Sequence, residues 1–331
     1  MILYVHLHSH SEVFMRPLLH LATMSLLASL SMLAQAAFPE KAITYVVPYT
    51  PGGTNDNIAR IVAKHLADRL GQPVVVENKP GAAGTVGAAY VAHAQADGYT
   101  LFNASIGNLA IAPQLVPVQF DPFKDLTPIA HLAGSRSVIA VNPKLPIHSI
   151  AELISYAKAH PGKLTYGTSG NGTPGHISTE YLKLLSGIDL LHVPYKGSAQ
   201  ALSDAAAGHI DLVSDPLANS FVQAGKLRGL AFFGTDKAPD LPGVPSLTET
   251  FPEWNFSGAF LAMAPSGTPP EVLATLRKAL DDVLAEQQTI AELKALGMAP
   301  QRLTTEQSEA VIRANYELSK SIIAKAGIRA D

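Results

Sequence analysis

Cysteine is absent from all 331 residues. That excludes disulfides, cysteine nucleophiles, zinc ribbons and anchoring through a lipidated cysteine. Charge is sparse too: Asp, Glu, Lys and Arg make up 15% of the chain, against about 25% in an average domain. The net charge is −3 and no basic block occurs, which argues against nucleic acid as a partner. The patterns G-x-x-x-x-G-K-[ST], G-x-S-x-G and H-E-x-x-H are also missing. A phosphate loop, a nucleophile elbow and a helical zinc pair are therefore not expected. The apolar run from Leu18 to Leu33 is interrupted by His20, Thr23 and several serines, which is poor for a membrane span.

That run has a different reading. Arg16 precedes it and Ala34-Gln35-Ala36 closes it, the pattern of a secretory signal peptide cleaved after Ala36. The mature protein is then exported, soluble and begins near Ala37 or Phe38. Upstream, His6, His8 and His10 alternate, as metal-binding tracts sometimes do. The simpler account starts the chain at Met15 and treats the residues before it as a non-native leader. The remaining length suits roughly two domains, each able to bury a core.

What the chain has in quantity is glycine at predicted helix starts. Ile43 to Val47 is a β-branched run, followed by Pro48-Tyr49-Thr50-Pro51-Gly52-Gly53-Thr54-Asn55-Asp56 and then by apolar residues at helical spacing, Ile58, Ile61, Val62, Leu66 and Leu70. Strand, glycine loop and helix start make either a candidate anion site or a plain βα turn. The device recurs. Glycine beside a hydroxyl at a predicted helix start appears at Gly53-Thr54, Gly84-Thr85, Gly172-Thr173 and Gly197-Ser198. One instance is explained by N-capping alone. Four, all at the carboxyl ends of predicted strands, point to donors aimed into a shared cleft, and such donors suit a carboxylate.

Alternating strands and helices predict an α/β fold of mostly parallel sheets. Strands are expected at Val74–Glu77, Tyr99–Phe102, Ser137–Val141, Leu164–Tyr166, Leu190–Pro194, His209–Ser214, Leu227–Phe233 and Phe256–Met263. Capping boxes mark helix starts at Ser149 with Glu152 and at Thr304 with Gln307. A Pro-rich connection without clear period runs from Asp236 to Phe251. Two closing helices suggest that the chain returns to its first half. We therefore expect a discontinuous first lobe, residues 38–141 plus 256–331, with a second lobe of residues 142–255 inserted.

Gly170-Asn171-Gly172-Thr173-Pro174-Gly175 matches the dinucleotide pattern G-x-G-x-x-G, and Asp189 follows at about the right distance. Its placement is wrong, because Asp189 begins the next strand instead of ending it, and Pro174 removes an N–H from the cradle. Ser169 has glycine directly after it, so it is no nucleophile elbow. His65 and His93 fall on helical faces, His176 lines the cleft or packs a helix end, and His192 is mid-strand. Asp56 and Asp215 are candidate acceptors for a ligand amine or hydroxyl, or else structural caps. Lys196 and Arg136 are the nearest cations. No triad or metal set assembles, and no cofactor is expected.

With these segments in place, the chain resembles the Bug-type periplasmic substrate-binding proteins of tripartite tricarboxylate transporters. The likeness spans residues 38–331. It rests on Pro48-Tyr49-x-Pro51-Gly52-Gly53, Val76-Glu77-Asn78-Lys79-Pro80-Gly81-Ala82-x-Gly84, Asp97-Gly98-Tyr99-Thr100-Leu101, Ser169-Gly170-Asn171-Gly172-Thr173-x-Gly175-His176, His192-Val193-Pro194-Tyr195-Lys196-Gly197-Ser198, the Gly-His-Ile-Asp at 208–211, and Ala264-Pro265-x-Gly267-Thr268-Pro269. It implies the two-lobed type II periplasmic-binding-protein fold, closing on a ligand held by loop amides, hydroxyls and waters. Carried over position by position, the contacts fall on Tyr49, Gly52, Gly53, Gly84, Thr85, Ser105, Ser169, Thr173, Tyr195 and Asp215. The chain departs from the family pattern at Ile106, Asn108 and Asp215-Pro216. The implied protein is a non-enzymatic, monomeric receptor for a mono- or dicarboxylate, aromatic and amino acids included, partnered by membrane transporter subunits. An extracytoplasmic sensor is an alternative, and an α/β oxidoreductase or hydrolase a remoter one.

Overall fold

The structure, a computed structural model, describes residues 38–233 and 241–329. The expected signal peptide and the first residues of the 236–251 connection lie outside the described residues. Residues Lys41–Asp331 form one compact unit built on two sheets. Among the described residues no helix is long and apolar enough to cross a membrane.

The first sheet is centred on β1 (Ile43–Val47), whose Ile43, Tyr45, Val46 and Val47 are fully buried. Burial on both faces suits its apolar and β-branched composition, Thr44 alone being partly exposed. Beside it run β2 (Val74–Asn78) and β3 (Thr100–Ser105), both parallel to β1. Between β1 and β2 lies α1 (Thr54–Leu70), which buries Ile58, Val62 and Leu66 and ends at Gly71 in the left-handed region, φ 66°. A shorter α2 (Thr85–Ala92) joins β2 to β3.

The longest strand, β4 (Leu126–Ser135), is invisible to periodicity because Pro128 and Gly134 interrupt its pattern. After it comes β5 (Val138–Val141), which was expected to close the first lobe. It pairs in the second sheet instead, antiparallel to two later strands. The chain therefore crosses at Arg136 and Ser137, several residues earlier than expected. A four-residue apolar strand carries no sign of which sheet it joins, so only long-range pairing could place it.

The second sheet contains β6 (Thr165–Thr168), β7 (Leu191–Pro194), β8 (Leu212–Asp215) and β9 (Arg228–Phe232), in the order β7-β6-β8-β5-β9. Its helices are α3 (Ile150–Ala159), α4 (Pro174–Ser186), α5 (Ser198–Ala207) and α6 (Ala218–Gln223). The chain then returns as β10 (Gly258–Pro265), which enters the first sheet antiparallel to both β3 and β4. The order there is β11-β4-β10-β3-β1-β2, with β11 at Met298–Ala299. Both sheets are thus mixed, each with a parallel trio and antiparallel additions where the chain crosses over.

Three helices close the described chain, not two: α7 (Pro270–Ala285), α8 (Gln287–Ala295) and α9 (Thr305–Ala326). At the start of α9 the Thr304 hydroxyl accepts the Gln307 N–H at 3.2 Å and the Gln307 side chain accepts the Thr304 N–H at 2.9 Å. At α3 the box is displaced by one residue: Ser149 accepts from the Glu152 N–H, while Glu152 reaches the His148 N–H at 2.7 Å. Helix α9 packs against α4 and against the π-helical turn Gly107–Ile111. One apolar cluster consequently runs from Val46 and Phe102 through Ile177 to Tyr166 and Leu212.

Candidate functional site

The carboxyl ends of β1, β3, β6 and β8 converge on a small cavity of about 50 Å³. Three helices start at its wall. Thr54 and Asn55 come from α1, Pro174 and Gly175 from α4, and Ser198 from α5. None of the three has a side chain capping its N-terminus. Their first N–H groups lack intrahelical acceptors, so the positive ends of three helix dipoles meet at one place. The opposite wall is the start of β10, Gly258 to Phe260.

Of the ten residues expected to touch ligand, five line this cavity: Tyr49, Gly53, Ser105, Ser169 and Asp215. Gly84 and Tyr195 line a second hollow of about 380 Å³, which shares Tyr49 and Ser169 with the first and has Lys196 in its wall. Tyr49 stands between the two, its phenol donating to the Ala83 carbonyl at 3.2 Å and lying 3.4 Å from the Ser105 hydroxyl. Burial lifts its pKa, against the pull of hydrogen bonds with Ser105 and Asn108.

The remaining three are turned elsewhere. Gly52 adopts φ 81° and donates its N–H to Asp56 at 2.9 Å. Thr85 donates to the Ala82 carbonyl at 2.9 Å, and Thr173, fully buried, donates to the Gly170 carbonyl at 2.7 Å. Two of the four glycine–hydroxyl pairs thus serve their own loops. The other two, Thr54 and Ser198, do reach the cavity, but there they donate to Asp215. The expected hydroxyl donors are therefore engaged by a carboxylate of the protein itself.

Asp215 ends β8, and among the described residues no Lys or Arg forms an ion pair with it. Its Oδ1 accepts from Thr54 Oγ1 at 2.9 Å and from the Leu217 N–H at 2.9 Å, and its Oδ2 accepts from Ser198 Oγ at 2.5 Å. Burial raises its pKa even so, against the three donors. A carboxyl whose folded pKa is raised contributes stability below its unfolded pKa and loses it as pH rises through the folded value. That loss begins once pH exceeds the unfolded value, about 3.9, so it is already felt at neutral pH. Asp215→Asn, which mimics the protonated form, should therefore melt higher than wild type at pH 7 and show no such advantage below about pH 4. Thermal unfolding followed across that range checks it.

Asp56, the other candidate acceptor, is already occupied. It is 1% exposed and receives the Gly52 N–H, the Arg60 guanidinium at 2.9 and 3.0 Å, and the Asn78 amide at 2.8 Å. The same Asn78 amide also donates to the Tyr49 carbonyl at 2.9 Å. Asp56 thereby holds the first glycine loop in shape. Burial pushes its pKa up, yet Arg60, the Gly52 N–H and Asn78 hold it below the usual range.

His176 and His192 pack behind the loop after β6. His176 Nδ1 accepts the Gly172 N–H at 3.1 Å and its ring stacks on His192 at 4.1 Å, behind the Gly170–Gly175 turn. That turn has no room for a pyrophosphate. A Cβ on Gly172 would meet Leu115 at 3.0 Å, and one on Gly175 would meet the Ser214 carbonyl oxygen at 2.6 Å. Asp189 sits beside Gly162, at the far end of the strand. The G-x-G-x-x-G is a packing turn. Arg136, proposed with Lys196 as a nearby cation, lines neither hollow.

Sequence reasoning omitted Asn55, Ser135, Ser137, Ser214 and Phe260 from this cavity. Ser135 and Ser137 flank the crossing between sheets and hydrogen-bond each other at 2.8 Å. Nothing in their local sequence marks them. Asn55, by contrast, directly follows a glycine–hydroxyl pair and could have been found by that position.

A family model described as "Tripartite tricarboxylate transporter family receptor" matches residues 58–328. The chain belongs to this family. Its members are receptors, not enzymes, which removes the oxidoreductase and hydrolase alternatives. Protein BugT of Bordetella pertussis is 33% identical over 297 residues, or 88% of this chain and 91% of BugT. A solved R. palustris protein with adipate superposes with a TM-score of 0.84 at 34% identity, covering 88% of this chain and 99% of its own. MatC of Rhodopseudomonas palustris, solved with malate, has a TM-score of 0.81 at 29% identity, covering 86% and 100%. The two-lobed binding-protein fold expected from sequence is the fold of this tripartite tricarboxylate transporter receptor.

Proposed function

We propose that this receptor is a periplasmic solute-binding protein that captures a small carboxylate between two lobes and passes it to a tripartite tricarboxylate-type transporter. The six-stranded sheet and its helices form one lobe, and the five-stranded sheet forms the other. The observation that carries the reading is the convergence of three uncapped helix starts on one cavity without a cation in its wall. Helix N-termini attract an anion through fixed N–H dipoles, so a carboxylate is held without an arginine clamp. The adipate and malate seen in related structures agree with this chemistry. Cross-cleft hydrogen bonds such as Thr54 to Asp215 and Thr50 to the Lys196 carbonyl (3.2 Å) would form on closure, which a bound ligand then favours.

A thermal-unfolding screen of the mature protein against mono- and dicarboxylates tests the capture step. At about 100 times Kd a true ligand adds roughly 2.7 kcal/mol, which raises the midpoint by several degrees. If no carboxylate does so, the reading is wrong. Delivery is tested separately: deleting this chain's gene from the producing cell should abolish uptake of the identified carboxylate.

A further inference from the structure

We propose that closure of this receptor is gated by pH, with His176 as a proton-sensitive brace. A second proton on its ring undoes the Gly170–Gly175 turn and with it the contact that this turn makes with the first lobe. The gating rests on the carboxylate reading above, whereas the brace stands on geometry alone.

The Gly172 N–H donates to His176 Nδ1 at 3.1 Å. A backbone N–H can only donate, so Nδ1 presents its lone pair and the ring is neutral, its proton on Nε2. A second proton has only Nδ1 to occupy, and there it meets the Gly172 N–H head on. His176 and Gly172 are both buried, so the stranded N–H has no water to turn to. Two further features oppose the charged ring. It stacks face to face on His192, centroids 4.1 Å apart and planes 7° from parallel, so the pair does not hold two charges. It is also the third residue of α4, where a positive charge faces the positive end of the helix dipole.

The groups around the ring do not offset that charge. Besides His192 from β7, which lies 2.7 Å from the Thr168 hydroxyl, β6 brings Tyr166, 6.5 Å away ring to ring. The Tyr166 phenol donates to Glu180 of α4 at 2.6 Å, and Glu180 is paired with Lys183 at 2.8 Å. On β8, Asp215 accepts from Thr54, Ser198 and Leu217. The first-lobe segment 110–115 has no charged residue, and on α9, which packs against α4, Glu309, Arg313, Glu317 and Lys320 are exposed.

The braced turn lies where the lobes meet. A Cβ on Gly172 would find Leu115 at 3.0 Å, Ala112 at 3.6 Å and Ala83 at 3.8 Å, all from the first lobe. The same turn, with Ser169 before it, brings Ser169, Pro174 and Gly175 to the cavity wall. Loss of the Gly172 bond therefore disturbs the lobe contact and the start of α4 together. The closed form excludes the proton, while the open form, with Gly172 no longer fitted against the first lobe, admits it. By linkage, capture of a carboxylate then expels a proton, and affinity falls as pH falls. A ring released from the bond titrates near the ordinary histidine value, about 6.5, so between about pH 7.5 and 5.5 the loss approaches roughly tenfold.

Two measurements test this, and the first needs no ligand. In amide NMR spectra of the mature wild-type protein, the Gly172 N–H signal should move upfield between about pH 7.5 and 5.5, as the hydrogen bond is lost. In His176→Asn the side-chain oxygen accepts the same N–H at every pH, so the signal should stay in place. A wild-type signal that does not move overturns the brace. The second measurement is calorimetric titration with adipate and with malate at both pH values. Wild type should lose about fivefold or more in affinity relative to His176→Asn. Titration of the anions themselves, and of Asp215, is common to both proteins and cancels in that ratio. Equal loss in the two proteins overturns the gating and leaves the carboxylate reading standing. If wild type binds neither anion nor any compound of the wider screen at pH 7.5, both readings fall, and the Gly172 signal still judges the brace. Should the asparagine variant not fold, His176→Gln replaces it.

Discussion

Asp56→Ala should lower the thermal midpoint by roughly 5–10 °C and weaken ligand binding at the same time. Asp56 is buried and accepts from Arg60, the Gly52 N–H and Asn78, so its removal strands three donors. Breaking a buried charged pair costs about 3–5 kcal/mol. The Arg60 side chain is 52% exposed and can return to water, so the lower end applies, about 3 kcal/mol or slightly less. Unfolding enthalpies of proteins this size convert that into the stated shift. Binding suffers because Asn78 joins Asp56 to the Tyr49 carbonyl, and the loop that carries Gly53 into the cavity is shaped by that bridge. The pH dependence distinguishes this from a general loss of packing. A carboxyl held below its usual pKa contributes stability above the unfolded value, about 3.9, and loses it as pH falls through the folded value. Wild type and variant should differ fully at neutral pH and converge only in strong acid. A constant difference down to pH 2 would sink the assignment.

Gly175→Ala should cost roughly 1–3 kcal/mol and reduce carboxylate affinity at least tenfold, while Gly53→Ala leaves the fold intact. Both glycines line the same cavity. Neither needs glycine for its backbone angles; Gly53, for instance, has φ −81°. The difference is space. A Cβ on Gly175 would lie 2.6 Å from the Ser214 carbonyl oxygen, a backbone atom that cannot swing aside, whereas one on Gly53 meets nothing closer than 3.8 Å. Overpacking of that kind forces backbone apart. Here it separates the start of α4 from the end of β8, where Asp215 follows Ser214 directly. At Gly53 the loss of unfolded-chain freedom makes alanine neutral or slightly stabilising. Unfolding and titration of the two variants side by side check the contrast. Equal tolerance would mean that α4 can retreat from β8, and the close approach would then carry no weight.

These two residues also show what was legible in advance. The strand–glycine–helix unit at residues 48–56 is written in local sequence: a β-branched run, paired glycines and apolar spacing at 3.6 residues. So are the helix stop at Gly71 and the cap at Thr304. Such features depend on neighbours within about one turn, and the chain carries them wherever it goes. The family likeness was equally readable, because seven motifs in fixed order are a long-range signal even though each is short. Asp56 was visible only as an acidic residue near a glycine loop. Whether it faced a ligand or its own loop turned on Asn78, which arrives from β2.

The glycine–hydroxyl pairs mark the limit most sharply. By sequence all four are equivalent, each a hydroxyl beside a glycine at a helix start. In the fold Thr85 and Thr173 return to their own loops, while Thr54 and Ser198 meet at Asp215. A hydroxyl rotates to the nearest acceptor, which lies three residues away for Thr85 and Thr173, 17 for Ser198 and 161 for Thr54. The sequence by itself therefore determined that the chain is an α/β protein with glycine-bearing helix starts after its strands, and that it resembles a receptor family, because periodicity, glycine placement and motif order are properties of the chain alone. Only the tertiary structure decided that β5 belongs to the second sheet, that Asp56 braces the loop at residues 48–56, and that Asp215 and Asn55 share the cavity. Those are facts of distance, and distance between remote residues exists only once the sheets have paired.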